Sequence, residues 1–480
     1  MTAQYCLMIW RKKMKYDDVV ETLASYIGKE WEFDNDTKDI AKLILKDSMG
    51  CMVKSLNNNQ CKKMLGPVEN GAYVERGIMV PGQRKGLGLL DASWNLGILV
   101  RWLDYNDCFL AEEWGHPSDN LGGIIAAAYH QAETGSRITV GDVLNFMIKA
   151  HEIQGVLSLS NSLNRNGYDH VFFVKLATAA VVSKILGGNE ETIKNTIANV
   201  FADGAPLRIY RHAPNVTTRK SWAAGDATMR GVRMALLTKK LDEGYPNILT
   251  EPDWGFNANV MNGKNITVSR ELGDYVVRNI LFKADFPAEF HAQTGAEAAM
   301  RLSEKYNGRL ESIKEIRIST HESAVRIIAH KEKLTNPSDR DHSLEYIIAV
   351  ALMNGDLKTE YYYDEYHSSH PEIDQLINKM KVIENPQYSN DYLNPEKRSV
   401  TNAIQLIFED GEESEVIEVE YPIGHKFRRN EVEPIIKRKF ISNVNDYYES
   451  DKVRELIELF EDEEELFKMD ILKFMQKWIM

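Results

Sequence analysis

The apolar residues of this 480-residue chain change their spacing near residue 280. Before that point they recur every three or four positions, as in DTKDIAKLILKD (36–47) and HVFFVKLATAAVVSKIL (170–186), which lays one face of a helix on a core. The second run stops at Gly187-Gly188, a helix-ending signal, and Asn189 with Glu190 and Glu191 opens the next helix. Beyond residue 280, IKEIRIST carries Ile313, Ile316 and Ile318 in a β-rich stretch. NAIQLIFEDGEESEVIEVEYP reads as two strands joined by a turn at Asp410-Gly411. Helical runs over 288–303 and 341–353 lie between them, and DKVRELIELFEDEEELFKM reads as one amphipathic helix whose Glu461–Glu465 run is a solvated face. The order helical, mixed, helical predicts a mainly α protein with a second α+β domain. Its parts are a helical domain over 1–278, an α+β domain over 279–427, and helices over 428–480 that return to the first domain.

Charge narrows the partners. The chain has 58 basic against 71 acidic residues, a net −13, which disfavours a nucleic-acid or anionic-membrane surface. An acidic protein that binds a polyanion must gather its cations locally. Cys6, Cys51, Cys61 and Cys108 contain no C-x-x-C pair, so neither a disulfide framework nor an iron–sulfur cluster is expected. No segment is apolar for long enough to cross a membrane. The start, MTAQYCLMIWRKKMKYDD, has an apolar run of only five residues, too short for a secretory signal. It carries basic residues and no acid before Asp17, which leaves open a weak organellar transit peptide or a frayed tail before a start near Met14. The expected compartment is the cytoplasm, or the mitochondrial matrix if the chain is eukaryotic.

Familiar motifs are missing. G-x-x-x-x-G-K-[ST] and G-x-S-x-G are absent, and Gly86-Leu87-Gly88 lacks the third glycine of a dinucleotide fingerprint. His151-Glu152 and His321-Glu322 begin like zinc-protease motifs without the second His, and Asp34, Asp36 and Asp39 lack the glycine of a calcium loop. No metal and no organic cofactor is expected, which leaves acid–base chemistry by side chains.

Four stretches concentrate groups suited to it. In RWLDYNDCFLAEEWGHPSDNLGG (101–123), Asp104, Asp107, Glu112, Glu113 and His116 crowd a segment of little periodicity. Pro117 favours an extended His116, and Ser118, Asp119 and Asn120 are good caps for the following helix. A proton-transfer site and a capped turn weigh equally on this stretch alone. In RIYRHAPNVTTRKSWAAGDATMR (208–230), Arg208, Arg211, His212, Arg219 and Lys220 supply four cations and one imidazole over thirteen positions. Lys220 opens a small-residue helix, where a cation opposes the helix dipole by roughly 0.3–1 kcal/mol unless an anion intervenes. His170 heads an apolar helix, where a satisfied core histidine is the commoner finding. FPAEFHAQTGAEAA (286–299) and RDHSLEYIIAVAL (340–352) bring His291, His342 and, one turn beyond His342, Tyr346.

Together these stretches resemble the MmgE/PrpD family. VRWLDYNDCFLAEEWGHPSDNLGG, IKAHEIQG, YDHVFFVKLATAAVVSK, YRHAPN, RKSWAAGDA, LFKADFPAEFHAQT, DRDHSLEYIIAV and YPIGHKFRR follow the family pattern in order, from about residue 40 to 430. The resemblance implies a large helical domain with a smaller α+β lid, a site between them, a homodimer and no cofactor. It implies removal of water from a small tricarboxylate, with a sibling chemistry that releases CO2 and a non-catalytic tricarboxylate-binding protein as alternatives. Carried over by position, Asp104, His116, His170, Lys220 and Tyr346 match active-site residues, while Arg211, His212, Arg219, His291 and His342 are expected to hold substrate. Cys108 stands where relatives often carry Thr.

Overall fold

The computed structural model describes residues 15–212, 215–329 and 334–479; the N-terminal stretch read as a leader or tail lies outside them. Two separate apolar cores organise the chain. The larger takes residues from Tyr16 to Ala284 and again from Val432 to Trp478. The smaller takes Phe286 to Val419.

The helices of the larger core that matter most here are α1 (Asn35–Ser55), α2 (Leu89–Arg101), α3 (Leu121–Glu133), α4 (Val140–Ser160), α5 (Val171–Ile185) and α6 (Arg219–Leu241). Glycines let three of them touch backbone to backbone. A Cβ on Gly97 of α2 would meet the Gly225 Cα of α6 at 2.8 Å, and one on Gly122 of α3 would run into Gly97. This close crossing sets the head of α6, with Lys220, beside the loop that follows α2. Asp34 is the N-cap of α1, its carboxylate accepting from Thr37 N at 2.9 Å, which accounts for the aspartates resembling a calcium loop.

In the smaller core, helices α7 (Gln293–Tyr306) and α8 (Leu344–Asn354) cover a four-stranded sheet of order β2-β1-β3-β4. Its strands are β1 (Ile313–Thr320), β2 (Met380–Glu384), β3 (Asn402–Phe408) and β4 (Ile417–Val419). A register shift between Ile313 and Glu315 lets both Ile313 and Ile316 face inward although three positions apart. The expected hairpin forms, with Asn402 opposite Val419 and Gly411 at φ 85° in the turn. The parallel pairing of β1 with β2 had no counterpart in the sequence reading.

Helix α9 (Arg429–Asn445) returns to the larger core, where a Cβ on Gly50 would touch Phe440 at 3.1 Å. The single amphipathic helix expected beyond it is two, α10 (Ser450–Glu458) and α11 (Glu463–Lys468), because Asp462 caps the second by accepting from Glu465 N at 2.9 Å. The chain crosses between the cores twice, and the crossings touch. Phe282 N donates to Gly424 O at 3.2 Å, and at φ 107° Gly424 is the residue that lets the Phe282 carbonyl press against it.

Candidate active site

Where the two cores face each other, the loop after α2 supplies a buried carboxylate. Asp104 sits at φ 50°, a left-handed conformation that Asp tolerates better than most residues. Arg101, one turn earlier, donates to its Oδ1, and Lys283 donates to its Oδ1 at 2.6 Å and its carbonyl at 2.7 Å. Burial alone would raise the Asp104 pKa, but Arg101 and Lys283 hold it well below the usual carboxylate range. Lys283 is itself fixed through α9, whose Lys439 donates to the Lys283 carbonyl at 2.8 Å and pairs with buried Asp47 at 2.6 Å.

His116 stands over this carboxylate in the extended conformation its Pro117 neighbour favours (φ −122°, ψ 91°). Its Nδ1 donates to the Asp107 carbonyl at 2.6 Å, which leaves Nε2 as the basic nitrogen, 3.7 Å from Asp104 Oδ1. Asp107 is held in turn by His151 Nε2 at 2.9 Å and by Ser118 N and Oγ at 3.0 and 2.7 Å. Burial, then the Arg101 charge, keeps His116 neutral, its pKa well below that of a free imidazole. Ser118, Asp119 and Asn120, expected as helix caps, form a 3-10 turn and cap nothing with their side chains. Asn106 bonds Ser118 and Asp119, and Asn120 bonds Gln154, so their polarity is spent inside the loop packing.

His170 lies at the head of α5 with its ring 6.0 Å from that of His116. Both its nitrogens are buried without a hydrogen-bond partner, and burial depresses its pKa strongly. A Cβ on Gly115 would crowd its ring at 3.4 Å, so the glycine makes room for it. Asp169 beside it is bound by the Arg211 fork through Nε and through Nη2 at 3.2 Å, with Arg208 Nη1 at 3.7 Å. Arg211 therefore spends its fork on Asp169 and reaches the cluster through it. Buried Glu113, 3.9 Å from Arg208, is pushed up to about 7 by burial, against the pull of Arg208.

Lys220, at the head of α6, is 2 % exposed and crosses to the smaller core. Its Nζ donates to Asp341 Oδ1 and lies 2.7 Å from His342 Nδ1. The partner of this cation is a carboxylate of the chain itself, Asp341. His342 Nδ1 is also 3.8 Å from Asp104 Oδ2, closing a ring of Asp104, His116, Lys220 and His342 around the seam. Burial, then the Lys220 charge, lowers the His342 pKa. Arg101, Arg208, Arg211, Lys220 and Lys283 are all buried here, each paired with a carboxylate of the chain.

Tyr346, His291, Arg219 and His212 are not members of this ring. Tyr346 is fully buried in the smaller core and donates its hydroxyl to the Tyr361 carbonyl at 2.8 Å. His291 has both nitrogens occupied, by Glu289 at 2.8 Å and by the Tyr392 hydroxyl at 3.1 Å. Arg219 stacks on Trp222 and Tyr210, 4.4 and 5.2 Å from their ring centres, and His212 is exposed. The sequence reading missed Arg101 and Lys283. Lys283 had a signal, a lone cation in the apolar run Ile280–Ala284.

Among the described residues, no group of three or more His, Cys, Asp or Glu side chains is arranged to hold a metal ion, and no helix is long and apolar enough to cross a membrane. Family models match both halves, the MmgE/PrpD N-terminal domain over residues 21–269 and the MmgE/PrpD C-terminal domain over 286–465. The chain is 44% identical over 473 residues to the 2-methylcitrate dehydratase of Escherichia coli K12, covering 97% of this chain and 98% of that protein. It is also 44% identical to the mitochondrial 2-methylcitrate dehydratase of Yarrowia lipolytica, over 96% of this chain and 90% of that protein. Identity to the probable 2-methylcitrate dehydratase of Saccharomyces cerevisiae is 42%, over 96% and 92%. Two domain models in chain order and near-full-length relatives leave one assignment: the chain belongs to the MmgE/PrpD family.

Proposed function

We propose that this chain is a hydro-lyase that eliminates water from 2-methylcitrate to give 2-methyl-cis-aconitate, with citrate as a second substrate. The observation that carries the reading is His116, a buried imidazole whose Nδ1 is committed to a backbone carbonyl and whose Nε2 faces Asp104, a carboxylate that Arg101 and Lys283 hold well below its usual pKa. Such a nitrogen takes a proton from the carbon next to a carboxylate, and Asp104 steadies the imidazolium formed. The electron pair left on carbon builds the double bond as hydroxide departs. Lys220 holds the carboxylate on which negative charge grows, a role in which a preorganised cation outperforms water. His170, whose ring nitrogens make no hydrogen bond within the chain, offers one to the substrate.

The same reading takes Asp104, His116, His170 and Lys220 as the catalytic set, with Tyr346 supporting it from the smaller core. Arg211, His212, Arg219, His291 and His342 bind substrate or order the residues that do. Residues 1–278 and 428–480 form the body and 279–427 a lid, a division supported by the two apolar cores. The enzyme works as a homodimer without metal or organic cofactor, in the cytoplasm or, if the chain is eukaryotic, the mitochondrial matrix. The test is incubation of pure protein with 2-methylcitrate, citrate and cis-aconitate, with products identified by mass spectrometry. Loss of water from 2-methylcitrate supports the reading; release of CO2 from cis-aconitate, or no product, refutes it.

A further inference from the structure

Tyr362 is a buried tyrosine whose hydroxyl has no hydrogen-bond partner. A buried donor left unmade costs free energy, so it calls for an explanation. Its surroundings supply one. Tyr362 lines a cavity of about 240 Å³ whose wall includes Trp102, Thr218 and Ser221 from the larger core and Asp341 from the smaller. Asp341 is also the residue that bonds Lys220, so the cavity shares this wall residue with the cluster of Lys220, His342, Asp104 and His116.

The segment that carries Tyr362 is held from two sides. Arg340, the residue before Asp341, donates to the Tyr362 carbonyl at 2.7 Å and to Asp364 at 2.7 Å. Tyr346 donates to the carbonyl of Tyr361 at 2.8 Å, with its ring 6.1 Å from that of Tyr362. One turn, Arg340-Asp341-His342, therefore grips both the Tyr362 backbone and Lys220. The two tyrosines thus differ: the Tyr346 hydroxyl is spent on the Tyr361 carbonyl, and the buried Tyr362 hydroxyl has no hydrogen-bond partner.

We propose that Tyr362 is a further catalytic residue, the general acid that hands its hydroxyl proton to the leaving hydroxide. The inference rests on the dehydratase reading. The step balances without a co-reactant. His116 Nε2 takes the carbon-bound proton, and the C–H electron pair becomes the new double bond. The C–O bond breaks with its pair on oxygen, and the Tyr362 proton completes water. The phenolate then recovers the proton held by His116, through solvent, as product leaves. Burial and then the nearby Asp341 carboxylate oppose ionisation of Tyr362, so the hydroxyl carries its proton throughout the neutral range.

The test is Tyr362→Phe in the full-length protein, assayed beside the wild type on 2-methylcitrate and on an analogue with fluorine in place of the leaving hydroxyl. Turnover on 2-methylcitrate should fall by about 10²-fold with KM little changed, the scale of a lost general acid. The melting temperature should stay level or rise, because the hydroxyl removed bonds nothing. On the fluoro analogue the deficit should largely vanish, since fluoride leaves without a proton. Wild-type turnover by the variant overturns the inference and leaves the dehydratase reading standing, as does an equal deficit on both substrates. A wild-type protein inert toward 2-methylcitrate removes the dehydratase reading, and this inference with it.

Discussion

Lys220 and His342 belong to different cores and meet across the seam, the Nζ of one 2.7 Å from the Nδ1 of the other. With Asp341 accepting from the same ammonium, this is a point where the smaller core is bonded to the larger. A substrate carboxylate that takes hold of Lys220 must share or replace Asp341.

Lys220→Ala is expected to lower turnover by roughly 10²–10³, the cost of removing one preorganised donor to growing charge. It should also destabilise the fold by about 1–3 kcal/mol, because Asp341 and His342 lose a charged partner. Lys220→Arg should restore little, since a planar fork does not replace a compact ammonium. Steady-state kinetics and urea titration check both. A solvated lysine would leave turnover and stability unchanged.

Why some of this was legible in the sequence and some was not follows from range. The clusters around His116 and Lys220 are local, so residue types alone drew attention to them. The change of period near residue 280 was legible because helices and strands bury different spacings. Asp341 as the partner of Lys220 was not, since that contact joins positions 121 apart. Tyr346 and Tyr362 cannot be told apart in a string, because only packing decides which hydroxyl finds a carbonyl. The break between α10 and α11 was hidden by apolar periodicity that runs through it, although Asp462 is a good N-cap.

Tyr346→Phe should cost about 0.5–1.5 kcal/mol, the net worth of its hydrogen bond to the Tyr361 carbonyl. Turnover should fall modestly, as the neighbouring Tyr362 loosens. Urea denaturation beside kinetics checks the split. A large loss of turnover without loss of stability would make Tyr346 itself the reacting group.

Glu113 gives a pH signature with a definite sign. Its folded pKa is raised to about 7, above the ordinary 4.5 of the unfolded chain, by burial against the pull of Arg208. Its contribution to stability is therefore fully present below about pH 4.5 and lost as pH rises through about 7. Glu113→Gln lacks that loss, so its melting temperature should gain on the wild type as pH rises from 5 to about 8. Paired melting curves across this window check it, and a constant difference would refute it.

The His116 imidazole is held neutral by burial and by Arg101. A base must be neutral to act, and a free imidazole would be half protonated near pH 6.5. The pH profile of kcat/KM should therefore stay level as pH falls through that value, turning down only in more acid solution. A decline centred near 6.5 would mean that an exposed, ordinary histidine is the base.

The central claim is that an imidazole of this chain, working without a metal, takes the substrate proton. It is tested most directly by turnover on 2-methylcitrate of wild-type protein after exhaustive EDTA treatment, beside His116→Gln with its fold verified by circular dichroism. The treated wild type should keep its full rate, and the variant should lose about 10²–10⁴-fold in turnover. Loss of the wild-type rate on chelation with recovery on adding one metal, or full turnover by His116→Gln, would contradict it.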